Sequence, residues 1–328
     1  MLNDKSILIT GGTGSFGHCF ITHVLEHCHP RKIVIYSRDE YKQFIMNQEF
    51  GQYKEVLRFF IGDVRDQQRL SRAMQGIDYV IHAAALKQVP SCEYNPNEAI
   101  KTNVNGAMNV IEAALDAKVK KVVALSTDKA VNPINLYGGT KLVSDKLFVA
   151  ANAYSGQNGP RFAVVRYGNV AGSRGSVIPF FQELIHQGKT ELPITDYRMT
   201  RFWISLEQGV QLVIKALAEA NGGETFIAKI PSFKITDLAQ AMLPGCKMPE
   251  VGIREGEKLH EVMITKEDSM WTYEYEKHYI VYPHFNWWGD SKIQSGGKLV
   301  VPGFEYSSEK NTQWLNVDTI RERILDLY

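Results

Sequence analysis

The sequence has no uninterrupted apolar stretch of roughly 18 residues, the usual minimum for a membrane-spanning helix, so no membrane span is expected. Its first residues, MLNDKSILIT, lack the apolar segment and small-residue cleavage site of a secretion signal, and a cytoplasmic location is the expectation. Cysteine is scarce. Cys19, Cys28, Cys92 and Cys246 are scattered without CxxC spacing, which argues against a disulfide framework and a zinc knuckle. Neither sign of charge is in excess, with 37 Lys and Arg facing 36 Asp and Glu. That balance gives no electrostatic footprint for nucleic acid, so an anionic ligand must be met by locally placed basic groups. Low-complexity tracts are missing too, and 44% hydrophobic with 22% charged residues reads as a globular chain.

What is present is an alternation. The apolar runs KSILIT, KIVIYS, LRFFIGD, YVIHAAA, KVVALST and RFAVVRYG recur through the first half with helical-period segments between them. Parallel neighbours need crossover connections, so the expected fold is α/β, a doubly wound parallel Rossmann sheet with ligands at the carboxyl ends of its strands. At 328 residues a second, smaller α/β unit for substrate is expected. The expected division is a dinucleotide-binding domain over 1–170 and a substrate domain over 171–328. ETFIAKI, near 224–230, reads as a strand returning to the sheet, so the two domains interleave. The segment from Trp271 to Val301 is rich in aromatics and glycine and has no clear period.

Gly11, Gly12, Thr13, Gly14, Ser15, Phe16 and Gly17 follow the first strand and open a helix. Glycines are needed there because the turn is tight, the backbone must approach a pyrophosphate, and the helix must pack on the strand with its N-terminus facing the anion. Cofactor contacts are expected from Gly11, Thr13, Gly14, Ser15, Phe16 and Gly17. The second strand ends in Ser37, Arg38 and Asp39. Ser37 and Arg38 with Lys42 offer several donors to a ribose 2′-phosphate, which favours NADP, whereas Asp39 alone suits a ribose diol and NAD. Asp63 and Val64 fit an adenine edge, and Ala83 and Ala84 place small residues beside the dinucleotide. His82 reads as a core histidine.

The fifth strand runs out into Ser126, Thr127, Asp128 and Lys129, and Tyr137 and Lys141 follow four apart on one helix face. A phenol is a poor base at neutral pH, but an adjacent ammonium and a nicotinamide cation favour the phenolate, so Tyr137 can accept a hydroxyl proton.

TGGTGSFG, YSRDE, GDVRD, HAAALKQVP, STDKAVNPINLYGGTK, RYGNV, ITDYRMTRFWI, REGEKLHEV and FEYSSEKNTQWL together resemble the inverting UDP-N-acetylglucosamine 4,6-dehydratases, a family of the extended short-chain dehydrogenases/reductases, over nearly the whole chain. That family carries Asp-Lys where Asp128 and Lys129 stand in this chain, whereas retaining 4,6-dehydratases carry Asp-Glu there. The resemblance implies that Tyr137 accepts the C4 hydroxyl proton, Lys129 in neutral form takes the C5 proton, and protonated Asp128 serves the departing C6 hydroxyl. A lowered Lys129 pKa is expected from Lys87, Lys141 and the oxidised nicotinamide. It further implies UDP-N-acetylglucosamine as substrate, with contacts from Lys87, Thr127, Asn169, Arg201, Arg254 and Glu257. An ion pair with Asp196 is the other expectation for Arg201, and a charged turn the other for Arg254, Glu257 and Lys258. The product is expected to enter pseudaminic acid synthesis for flagellin or surface glycans, and the protein to be a homo-oligomer, with a hexamer the candidate size.

A UDP-sugar 4-epimerase shares the cofactor, Tyr137 and Lys141 but has no use for Asp128 and Lys129. A relative that also epimerises C3 tends to lose the tyrosine, and a non-catalytic NADP-sensing protein tends to lose the Tyr-Lys pair. His23, His27, His29 and Cys28 lie at a helix end before Pro30, where histidine suits the macrodipole, and no metal is expected.

Overall fold

Most apolar runs of the first half are buried on both faces, which makes them strands of a parallel sheet, while LRFFI at the sheet edge is only partly covered. The computed structural model describes residues 1–325 except 174, 286 and 290–292. Six parallel strands, β1 (Ser6–Thr10), β2 (Lys32–Ser37), β3 (Leu57–Ile61), β4 (Tyr79–His82), β5 (Lys121–Thr127) and β6 (Arg161–Tyr167), lie in the order β3-β2-β1-β4-β5-β6. Between them run α1 (Ser15–His27), α2 (Glu40–Glu49), α3 (Gln67–Ala73), α4 (Val89–Tyr94), α5 (Pro96–Ile100), α6 (Gly106–Asp116) and α7 (Leu136–Ala151).

Alternate residues of β1 feed opposite layers, as the two-residue period of a strand requires. Ile7 and Ile9 join Phe20, Ile21 and Val24 of α1 in one core. Leu8 joins Val34, Val80, Val122 and Val164 under Leu70, Val110 and Phe148 in the other. This is the doubly wound sheet expected from the sequence.

The rest of the chain contributes α8 (Val177–His186), β7 (Thr200–Phe202), α9 (Leu206–Glu219), β8 (Thr225–Ala228), β9 (Ser232–Lys234), α10 (Ile235–Met242), β10 (Val262–Ile264), β11 (Thr272–Glu274), β12 (His278–Val281), β13 (Lys298–Leu299), β14 (Tyr306–Ser307) and α11 (Val317–Leu325). β8 pairs in parallel with β6, and α9 packs Val210, Val213 and Leu217 onto the same layer as α1. The aromatic segment without a sequence period supplies β11 and β12, which extend the sheet antiparallel beyond β8. A separate apolar core of Ile178, Phe181, Trp203, Phe233, Leu238, Leu315 and Ile320 holds the smaller second unit together. β7 with β9 and β10 with β14 form two-stranded ribbons that border the cleft at the carboxyl end of the main sheet.

Candidate active site

A cleft of about 930 Å³ opens where β1, β4, β5 and β6 end, and its walls come from both parts of the chain. Gly11 sits at φ +67°, and a Cβ there would lie 2.9 Å from the Ala84 backbone. At Gly17 a Cβ would overlap the Gly12 carbonyl, so α1 reaches the strand only because both positions lack side chains. Gly14 caps α1 without a side-chain oxygen, and Thr13, Ser15 and Phe16 line the cleft beside it. A helix N-terminus bared to a cleft in this way fits the pyrophosphate of a dinucleotide.

At the end of β2, Asp39 is occupied. Its carboxylate caps α2 by accepting from the Lys42 amide at 3.0 Å and pairs with Lys42 Nζ at 2.8 Å. Ser37 accepts from Gln43, whereas Arg38 has half its side chain exposed and touches Asp63 only at 3.8 Å. Asp63 is chiefly held by Arg65, whose guanidinium pulls its carboxyl below the ordinary value against the effect of burial. Val64 is buried in the cleft wall. His82 is the core histidine expected, bonded to Thr10 at 2.8 Å and pushed down to about 3 by burial. His23 and His27 stack ring on ring at 4.4 Å, and His27 Nδ1 bonds to the His23 carbonyl.

The loop after β4 carries Ala83, Ala84 and Lys87 into the cleft. It is fixed by a residue the sequence did not single out. Asn103, in a π-helical turn over Lys101–Asn105, clamps Leu86 through both of its backbone groups and donates to Thr140 of α7 at 3.0 Å.

β5 ends in Thr127, and a single 3-10 turn over Asp128–Ala130 presents the charged pair. Asn135 caps α7 by accepting from the Gly138 amide, and Gly138 must be glycine because a Cβ would overlap the Lys129 carbonyl. Asp128 is fully buried, and its Oδ1 accepts from Thr127 Oγ1 at 2.9 Å and Lys129 Nζ at 3.2 Å while Oδ2 has no partner. Burial, then the nearby Glu261 carboxylate, push its carboxyl upward. Tyr137, 9% exposed, is pushed up to about 12 by burial, against the pull of Lys129 and of the Thr127 hydroxyl. Lys141 is buried one turn further on, and burial lowers its ammonium against the opposing charge of Asp145.

Two expectations change at this turn. Lys129 is not depressed. Burial alone would lower it, but Asp128 and Glu261, the latter at 3.1 Å, outweigh burial and hold the ammonium above its ordinary value. The proximity runs the other way: it is Lys87 that is lowered, by burial and by Lys129. The positive charge pulling on the Tyr137 phenol is likewise that of Lys129.

Beyond β6, Asn169 lines the cleft with a buried Oδ1 that has no hydrogen-bond partner. Arg254 is exposed and lines the same cleft. Arg201 is 5% exposed and already engaged, donating to the carbonyls of Thr200, Leu259 and Lys258 and to Glu257 at 3.2 Å. Its partner is not Asp196, which is taken by Arg198 at 2.6 Å. Arg201 therefore buckles the 254–261 segment across the cleft. Lys258 ties the same segment to the end of the Asp128–Ala130 turn through the Val131 carbonyl at 2.6 Å.

The sheet order, the glycine turn opening α1, and the Tyr137 and Lys141 pair beyond β5 define a short-chain dehydrogenase/reductase of the extended kind. The polysaccharide biosynthesis protein family matches residues 7–283, and the chain belongs to that family. It is 57% identical over 320 residues, 96% of this chain and 95% of the other, to an inverting UDP-N-acetylglucosamine 4,6-dehydratase of Campylobacter jejuni. The resemblance drawn from the sequence motifs is thereby borne out. A UDP-glucose 4-epimerase of Rickettsia canadensis is 42% identical, with all of this chain and 97% of that one covered. Among solved structures, Pen from Bacillus thuringiensis superposes with a TM-score of 0.91 at 38% identity, covering 100% of this chain and 99% of that one.

Proposed function

We propose that the protein is an NADP-dependent hydro-lyase that converts UDP-N-acetylglucosamine to UDP-2-acetamido-2,6-dideoxy-β-L-arabino-hex-4-ulose with inversion at C5. The observation that carries this reading is a fully buried Asp128, its carboxyl raised, set against Lys129 and sharing Thr127 with Tyr137. Hydride removal and return at C4 alone needs no such acid. Elimination of water across C5 and C6 needs a proton donor and a proton acceptor together, and the catalytic turn offers both.

Tyr137 accepts the C4 hydroxyl proton, oriented by the Thr127 hydroxyl. What the nicotinamide supplies when bound is hydride acceptance at C4, hydride return at C6 and a positive charge beside the phenol. The resulting ketone acidifies C5. Lys129 passes its proton to Asp128 at 3.2 Å, takes the C5 proton in its place, and Asp128 gives the transferred proton to the C6 hydroxyl, which leaves as water. A proton added to C5 from the opposite face then sets the inverted configuration. Gly11, Thr13, Gly14, Ser15, Phe16 and Gly17 cradle the pyrophosphate. Asp39 is spent as a helix cap, so Arg38 with Ser37 and Lys42 is the set that fits a 2′-phosphate. Lys141 holds the ribose end. Asn169, Lys87 and Arg254 face the UDP-sugar, and Arg201 with Glu257 shapes that wall.

In this reading the enzyme acts in the cytoplasm as a homo-oligomer, a hexamer being the candidate size, and opens pseudaminic acid synthesis for flagellin or surface glycans. No helix among the described residues is long and apolar enough to cross a membrane. The competing reading is a UDP-N-acetylhexosamine 4-epimerase, favoured by the epimerase name of the Rickettsia relative. Mass spectrometry separates the two. A product lighter than UDP-N-acetylglucosamine by one water supports the dehydratase, and an isobaric product overturns it.

A further inference from the structure

Glu261, immediately before β10, is 1% exposed, yet three cations converge on it: Lys129 Nζ at 3.1 Å, Lys258 Nζ at 3.8 Å and Arg201 Nε at 3.9 Å. Its backbone amide donates to Ser308 Oγ at 2.9 Å, and that hydroxyl bonds Thr200 at 2.7 Å, so its place is set by the substrate-side framework. Oε2 has no hydrogen-bond partner. A buried carboxylate costs several kcal/mol in desolvation unless it is paired, and a pair placed only for stability is usually matched or bettered by apolar packing. This one lies against the reacting turn instead.

We propose that Glu261 is a positioning residue for the dehydration step: its carboxylate, 3.1 Å from the Lys129 ammonium, holds that side chain against Asp128. The proposal rests on the dehydratase reading above. The charged and titratable groups facing the cluster are Asp128 and Lys129 of the turn, Tyr137 of α7, Lys87 of the loop after β4, Arg201 of β7, and Glu257 and Lys258 of the 254–261 strap. His260 points away, to Thr200 and toward Glu309 at 3.7 Å. Burial is the first influence on both Asp128 and Lys129, and the Glu261 charge pushes each of them upward.

Dehydration takes one proton from C5 and gives one to the leaving hydroxyl, so the pair starts the step sharing a single proton. With Lys129 the stronger base, activity rises through the Asp128 ionisation and falls through that of Lys129, and the two limbs belong to the coupled pair. Removing the Glu261 charge weakens proton binding at both groups. Both limbs therefore move to lower pH.

The test is the pH profile of kcat for wild type, Glu261→Gln and Glu261→Asp, followed by formation of the C6 methyl product. For Glu261→Gln both limbs shift to lower pH by about one unit or more, while KM for UDP-N-acetylglucosamine changes less than about twofold. Glu261→Asp keeps the charge and keeps the wild-type limbs at lower kcat. Superimposable profiles for Glu261→Gln and wild type, or a raised KM with kcat intact, would overturn the proposal. Should Glu261→Gln fail to fold, lysine side-chain NMR of the wild type decides, with Lys129 assigned by its loss in Lys129→Ala. A Lys129 signal still protonated through the ordinary lysine value of about 10.4 supports the proposal, and one titrating at or below it sinks it. A wild type that forms no methyl product at all defeats the dehydratase reading, and the NMR titration still judges the charge arrangement.

Discussion

Asn135 binds the two halves of the molecule at the start of α7: its Oδ1 accepts from the Gly138 amide while its Nδ2 donates to the Gly256 carbonyl at 2.8 Å. One side chain thus caps α7 and anchors the strap that carries Arg254, Glu257 and Glu261. Asn135→Ala should cost about 1 kcal/mol of stability from the cap and leave Gly256 loose. A lowered melting temperature together with a raised KM for the sugar nucleotide is the expected pair of results. A melting change with unaltered KM would mean that the strap holds its place without Asn135.

Tyr137→Phe removes the proton acceptor without changing the packing of a nearly buried ring. Turnover should fall about 10²- to 10⁴-fold with little change in KM, measured by product formation under saturating substrate.

Asp128→Asn keeps the shape of the buried group and its bond from Thr127 but removes the acid. Water loss should fall by a similar factor of about 10² or more, while C4 oxidation survives and appears as reduced nicotinamide absorbance. Loss of both together would place Asp128 in the oxidation step.

Arg38→Ala leaves Asp39 capping α2, because that cap uses the Lys42 amide. Affinity for NADP should drop about tenfold or more and that for NAD should hardly move. Equal losses for both cofactors would remove Arg38 from the 2′-phosphate site.

His82 lies buried at about 3, below the ordinary histidine value, because burial disfavours its charged form. As pH falls below about 6.5 the unfolded chain takes up a proton at this position and the folded one does not, so stability is lost progressively down to about pH 3. His82→Asn should give a melting temperature that declines less steeply over this window. An unchanged slope would mean that His82 titrates normally in the fold.

The parallel sheet was legible because KIVIYS or KVVALS can only be buried on both faces, and the glycine turn because a bared helix start needs Gly11 and Gly17. Tyr137 and Lys141 were legible from helical spacing. Glu261 was not, since a glutamate in REGEKLHEV says nothing about a lysine so far upstream until β10 and the strap bring them to 3.1 Å. The same contact reversed the expected direction for Lys129, and the engagement of Arg201 by three carbonyls was equally hidden. β11 and β12 escaped notice because strands of three and four residues carry too little pattern to register.

The central claim is inverting dehydration, and proton NMR of UDP-N-acetylglucosamine turned over in deuterated water tests it most directly. The account predicts a new C6 methyl signal, deuterium at C5 and ring couplings of the L-arabino configuration. Conversion to UDP-N-acetylgalactosamine without a methyl signal would contradict it and would strip Asp128 and Lys129 of their roles as acid and base.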